Sequence, residues 1–297
     1  MTAAVGVPVA VPPAGGSLVR TRRFLRNPAA VAGALFLLVV VLLAAFPGVI
    51  APYSASAQSL VDRYASPSRD HLLGCDAFGR DVLSRVIYGA RTSCLAAVQG
   101  TAIAVLLGVP AGMTAAYVKG RVQFLFDRGN EMLMSVPALL LAIVIIGALG
   151  PSLFNAMVGV GVALSPRFYR IASAATMDVQ SETFVEASRS LGCSRRRVLA
   201  RHILPNILSS IVVQASLTVG SVILAESSLS FLGLGVQPPT PSWGGMLRDA
   251  AGALYEAPFL VYGPGAMIVL TVLASQFAAD GLRDALGGLS STTRGGR

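Results

Sequence analysis

The chain has 297 residues, 54% of them hydrophobic and only 12% charged, with a formal net charge of +9 and a mean hydropathy of +0.69. Soluble domains carry about a quarter charged residues, so a soluble globule is excluded and an all-α polytopic membrane protein is expected. The positive excess then marks loops that face the cytoplasm rather than a nucleic-acid site.

The first 19 residues, rich in Val, Pro, Ala and Gly and free of charge, read as a flexible tail. The first long apolar run exceeds a signal-peptide core and no small-residue cleavage site follows, so it reads as a retained anchor. A crossing needs about 20 apolar residues. Runs of that kind lie near Ala29 to Ile50, Cys94 to Tyr117, Glu131 to Leu149, Leu153 to Ala175, Ile207 to Leu234 and Phe259 to Ala279. Gly150-Pro151 reads as a tight turn, and the fourth run is weakened by Pro166, Arg167 and Arg170. The division is a tail at 1–27, a first span at 28–51, an extracytoplasmic segment at 52–90, a five-helix core at 91–286 and a second tail at 287–297.

Charge orients these six spans. Arg20, Arg22, Arg23 and Arg26 precede the first span with no acid, Lys119, Arg121 and Arg128 flank the second turn, and Arg283, Arg294 and Arg297 follow the last span. The positive-inside rule places these, and both termini, in the cytoplasm. The segment near Pro52 to Ala90 is charge-balanced and falls outside.

The loop from about 178 to 205 carries the densest signal. It holds Glu186, Ala187, Ser188, Gly192, Arg195, Arg196 and Leu204-Pro205, and no acid after Glu186. Helix formers flank Gly192, so a helix, a glycine-permitted turn and a second helix are expected, with Pro205 resetting direction into the next span. Arginines suit a partner's carboxylates or anionic lipid. The alternative is a solvated amphipathic loop. Glu226, inside an apolar segment, reads either as a cargo or gating contact or as a packing group satisfied by Ser227, Ser228 and Ser230. Arg167 and Arg170 read either as pathway groups or as interface groups. Asp127, Arg128 and Glu131 are spaced for an i,i+3 or i,i+4 pair. Trp243 reads either as support for the outer surface or as a headgroup anchor.

No catalytic set is visible: both histidines lie in loops and no His-Glu-x-x-His run or paired intramembrane Asp occurs. His71 and Cys75 lack a further ligand pair, so no metal site is expected, and the three cysteines have no framework spacing. Lys119, between Val118 and Gly120, is not in a phosphate-binding loop, so this chain holds no ATP site.

The Glu186-Ala187-Ser188, Gly192, Leu204-Pro205 pattern resembles the coupling loop of ABC-importer permeases, with Ser188 a mild departure. The run His71 to Arg85, containing Gly74, Asp76, Gly79, Arg80 and Asp81, is similar to the outer signature of the dipeptide, oligopeptide and nickel branch, with Cys75 in place of threonine. Glu226 to Gly235, Pro241-Ser242-Trp243-Gly244 and Asp280 to Leu286 agree with the same branch and its C-type subunit. The resemblance implies a type I importer permease fold in a bacterial inner membrane. It implies a second, B-type permease, two ATPase subunits carrying ATP and Mg, and an extracytoplasmic binding protein. The Glu186 loop would ride on an ATPase, and the outer signature would form a lid. Peptides are the expected cargo; nickel or haem in the same architecture, and an ATP-independent carrier, are the alternatives.

Overall fold

The computed structural model describes residues 17–287, and every regular element among them is helical. The readings made for residues 1–16 and 288–297 lie outside the described residues. The order is α1 (Ser17–Leu25), α2 (Pro28–Ala45), α3 (Pro47–Ile50), α4 (Val82–Val118), α5 (Gly120–Ser135), α6 (Ala138–Leu149), α7 (Leu153–Gln180), α8 (Thr183–Ser190), α9 (Arg195–Val198), α10 (Leu204–Phe231), α11 (Trp243–Gly252) and α12 (Tyr262–Gly287).

Among the described residues, four helical stretches are long and apolar enough to cross a bilayer: Pro28–Ala45, Val82–Val118, Arg195–Phe231 and Pro258–Leu286. The expected third span is not one rod. Its residues fall in α5 and α6, which meet at a 93° bend. Val136 is extended there (φ −100°, ψ 129°), because the ring of Pro137 crowds the residue before it out of the helical region. The expected fourth span is α7, long enough at 28 residues, but Arg167 and Arg170 keep it below the apolarity of the other four.

The second span also starts earlier than hydropathy implies. Asp81 caps α4, accepting from the Ser84 amide at 2.7 Å, so helix begins at Val82 rather than Cys94.

Small residues set the packing. Gly108 lies against Ser165 and Phe168, Gly112 against Tyr169 and Ser173, and Gly161 against Ile103. The paired numbers rise together, so α7 runs parallel to α4. Gly159 sits on Ala142, joining α6 to α7, and Gly33 lies on Ala274 and Ala278, joining α2 to α12. Close backbone approach of this kind is how apolar helices associate when no water is there to drive them together. The largest core runs through α4, α6, α7 and α10, centred on Met157, Phe168, Ile146 and Val222. The bundle thus has two dressed ends. One carries Pro52 to Asp81, α11 and the start of α12. The other carries Lys119, α8, α9 and the end of α12.

Candidate functional site

At the arginine-bearing end, α8 is a short amphipathic helix. Val185 and Ser188 are buried, and Glu186, Ala187 and Arg189 are exposed. Val185 joins the main core with Val198 and Ile203, so three apolar side chains hold the segment from beneath. Its outer face remains in solvent, with Leu191 84% exposed. Ser188 donates to the Phe184 carbonyl at 2.8 Å, which turns its hydroxyl back onto its own helix.

The glycine turn closes α8. Gly192 adopts φ +78°; its amide bonds to the Arg189 carbonyl at 2.9 Å and the Cys193 amide to the Ser188 carbonyl at 3.1 Å. This paired 5→2 and 6→1 arrangement is a Schellman cap, and it needs a left-handed residue at the position Gly192 occupies. Arg189 adds a tether that spacing alone does not reveal. Its Nε donates to the Tyr117 hydroxyl at 3.1 Å, and its guanidinium stacks 4.5 Å from that ring, a contact of about 0.5–1 kcal/mol at an exposed site. Tyr117 is the penultimate residue of α4, so α8 is strapped to a spanning helix. Arg195 and Arg196 are exposed on α9.

Pro205 does not reset the chain direction. Arg195–Phe231 is one continuous 37-residue helix. A π-helical turn at Leu199–Ile203 widens the ladder just before Leu204-Pro205, and Pro205 sits at the start of α10, where a missing amide is tolerated.

The opposite end is a knot of buried polar contacts. Asp76 accepts Arg80 Nε at 2.7 Å and lies 3.5 Å from Arg85 Nε, while its other oxygen takes the amides of Phe78 (2.9 Å) and Arg80 (3.1 Å). Asp81, besides capping α4, pairs with His71 Nδ1 at 3.0 Å. Arg85 donates to the Ala55 carbonyl at 2.9 Å. Gly74 (φ +74°) and Gly79 (φ +64°) have no room for a Cβ: it would strike Phe259 and Ala65 at the first and the Ser59 carbonyl at the second. Cys75 is fully buried, and burial, then the charges of Asp81, Asp62 and Asp76, push its thiol up to about 11. Trp243 is fully buried; its indole N–H donates to the Val86 carbonyl at 2.9 Å and the ring lies over Gly89. It supports this end of the bundle rather than anchoring at headgroups.

The remaining candidates lie on α5, α7 and α10. Glu226 is 1% exposed and accepts from Ser230 at 2.7 Å and Ser227 at 3.4 Å. Ser228 donates to the Leu224 carbonyl instead. Arg167 and Arg170 are exposed on α7, and neither is in an ion pair among the described residues. Arg128 and Glu131 form the i,i+3 pair at 2.7 Å, but Asp127 takes the Tyr169 hydroxyl at 2.6 Å, a link between α5 and α7 that no local spacing announces.

Long apolar helices packed through glycines, with structured connections at both ends, define a multi-pass helical membrane protein. Residues 108–288 match the family described as binding-protein-dependent transport system inner membrane component, and residues 19–67 match the N-terminal TM domain of oligopeptide transport permease C. The chain belongs to the binding-protein-dependent inner membrane component family, as a C-type permease of its peptide branch. It is 39% identical over 266 residues to the glutathione transport system permease protein GsiD of Pectobacterium atrosepticum, covering 89% of this chain and 88% of that one. It is 41% identical, with the same coverage, to GsiD of Escherichia coli O6:K15:H31. Two solved structures titled as inward facing conformations of the MetNI methionine ABC transporter share the fold. One has a TM-score of 0.56 at 18% identity, covering 68% of this chain and 96% of that one. The other has a TM-score of 0.55 at 17%, covering 69% and 97%. The fold is therefore that of a type I importer permease. The protein is a permease subunit of an ABC importer in the inner membrane, not an enzyme, and ATP hydrolysis belongs to separate chains.

Proposed function

We propose that this chain is one half of the membrane pathway of an ATP-driven importer of short peptides. The observation that carries the cargo is the near-40% identity, over nine-tenths of the chain, to two permeases named for glutathione, itself a short peptide. In this reading it pairs with a B-type permease, two ATPase subunits that bind ATP and Mg, and an extracytoplasmic protein that delivers peptide. The face of α8 bearing Glu186 and Ala187 docks on an ATPase, with Gly192, Arg195 and Arg196 framing the contact. The knot around Gly74, Asp76, Gly79, Arg80 and Asp81 closes the outer mouth, where the binding protein lands.

Six crossings with both termini inside complete the reading. The parallel course of α7 beside α4 supports a crossing by α7, and α6 with part of α5 makes the preceding one. The exposed arginines of α8 and α9 share an end with Lys119, the side the positive-inside rule assigns to cytoplasm.

The test is purification with native partners followed by reconstitution. Two ATPase chains and a second permease are expected to co-purify, and a di- or tripeptide on the binding protein is expected to raise ATP hydrolysis. A homo-oligomer without nucleotide-hydrolysing chains, or stimulation by a nickel chelate or haem but not by peptide, overturns the proposal.

A further inference from the structure

A groove follows one face of α10, walled by α6 and α7 in its upper part and by α7 and the end of α12 in its lower part. Its upper part is a cavity of about 260 Å³ in which Arg167 of α7 and Ser221 and Ser228 of α10 are the polar side chains, set among apolar ones of α6, α7 and α10 such as Leu139, Leu164 and Leu224. Its lower part is a cavity of about 420 Å³ holding Ile171, Gln214 and, from α12, Arg283. Ser228, Ser221 and Gln214 are seven residues apart in turn, which keeps them on one stripe of a helix. Ile171 is four residues beyond Arg167, so α7 also presents one face to both hollows.

Two facts give the groove a sign. Neither cavity is lined by an Asp or a Glu, whereas Arg167 and Arg283 are the charged residues in the two. The nearest acid on α10, Glu226, is fully buried and bonded by Ser227 and Ser230. Depth makes Arg167 the important cation. Gly108 of α4 packs against Ser165 and Phe168, so Arg167 lies level with Gly108, about ten residues or roughly 15 Å from the Val118 end of α4, about half the thickness of a bilayer's hydrocarbon core. A guanidinium at that level without a carboxylate partner is costly unless it faces a polar path. Its planar fork matches a carboxylate.

We infer that Arg167 is the point in the membrane where this permease receives a carboxylate of its cargo, and that the groove favours peptides of net negative charge. Arg283 is the second cation such a peptide meets on its way out of the groove. The inference rests on the peptide-import reading and adds to it a charge class and a residue.

The test is uptake by the complete transporter in proteoliposomes, with the binding protein supplied, of an acidic tripeptide (Glu-Ala-Ala) and a basic one (Lys-Ala-Ala). Arg167, R167K, R167Q and R167E are compared. The binding protein is the same in every arm, so its own preference cancels when the acidic-to-basic ratio is compared between variants. The ratio is expected to fall only slightly in R167K, which keeps the charge but not the fork, to fall about tenfold in R167Q, the effect of losing one charge-assisted hydrogen bond, and to fall further in R167E. A ratio insensitive to charge at this position overturns the assignment of Arg167 and leaves peptide import standing. Loss of the second permease from purified R167Q also overturns it, because Arg167 is then a subunit contact. Absence of uptake of either tripeptide by the unmodified transporter overturns both readings.

Discussion

The two ends of the bundle solve opposite problems. The end built from Pro52 to Asp81 and α11 turns a group of its charges inward: Asp76, Arg80, Asp81 and Arg85 bond one another or backbone, and Trp243 fills the space beneath. The end built from α8 and α9 turns its charges outward and keeps only Val185, Val198 and Ile203 inside. One end holds an internally satisfied charge cluster at its centre. The other is firmly fixed at its base and has unspent polar capacity on its face, which is what a surface for a second chain requires.

The contrast is broken most severely by Gly79→Val. The new side chain meets the Ser59 carbonyl at a positive φ that a β-branched residue resists. A loss of about 3 kcal/mol or more is expected, read as a collapse in the yield of folded protein in detergent. Normal yield and melting would show that this end is looser than its contacts imply.

Gly192→Pro acts at the other end without that collapse. Proline cannot adopt φ +78° and removes the amide that bonds to the Arg189 carbonyl, so the Schellman cap opens, while a Cβ at Gly192 would meet nothing within 4 Å. Peptide-stimulated ATP hydrolysis is expected to vanish with membrane insertion and yield retained, and Glu186→Lys is expected to do the same by reversing the exposed charge. Full stimulation in both variants removes α8 from the coupling path.

Cys75 gives the mildest probe. Its thiol titrates at about 11, against roughly 8.5 in an unfolded chain. The unfolded form therefore releases its proton first, and the contribution to stability is full below about pH 8.5 and lost as pH rises through 11. At pH 8 a maleimide is expected to leave Cys75 unmodified until denaturant opens the outer segment. Prompt labelling would mean that the knot breathes.

Much of the fold was legible because bilayer crossing imposes a simple composition. The apolar runs mark α2, α4, α10 and α12, and Gly192 marks the turn after α8. Legibility failed where neighbours decide. Val136-Pro137 splits a run whose composition reads as continuous, and Pro205 passes without a break because the turn before it is π-helical. At the candidate docking surface, Glu186, Ala187 and the arginines stand out by spacing. Tyr117, 72 residues from Arg189, does not, since only folding brings them together. The serine partners of Glu226 were among the three nearest hydroxyls, but which two serve it depends on χ angles that no spacing reports.

The uninterrupted course of Arg195–Phe231 has a mechanical meaning. A helix of 37 residues is about 55 Å long, enough to reach from the arginine cluster to the serines around Glu226 without a hinge. Displacement at the foot of such a rod arrives at its head as tilt. Under the proposed docking of α8 on an ATPase, a nucleotide-driven squeeze on one side of the membrane would be delivered to the other by a single lever.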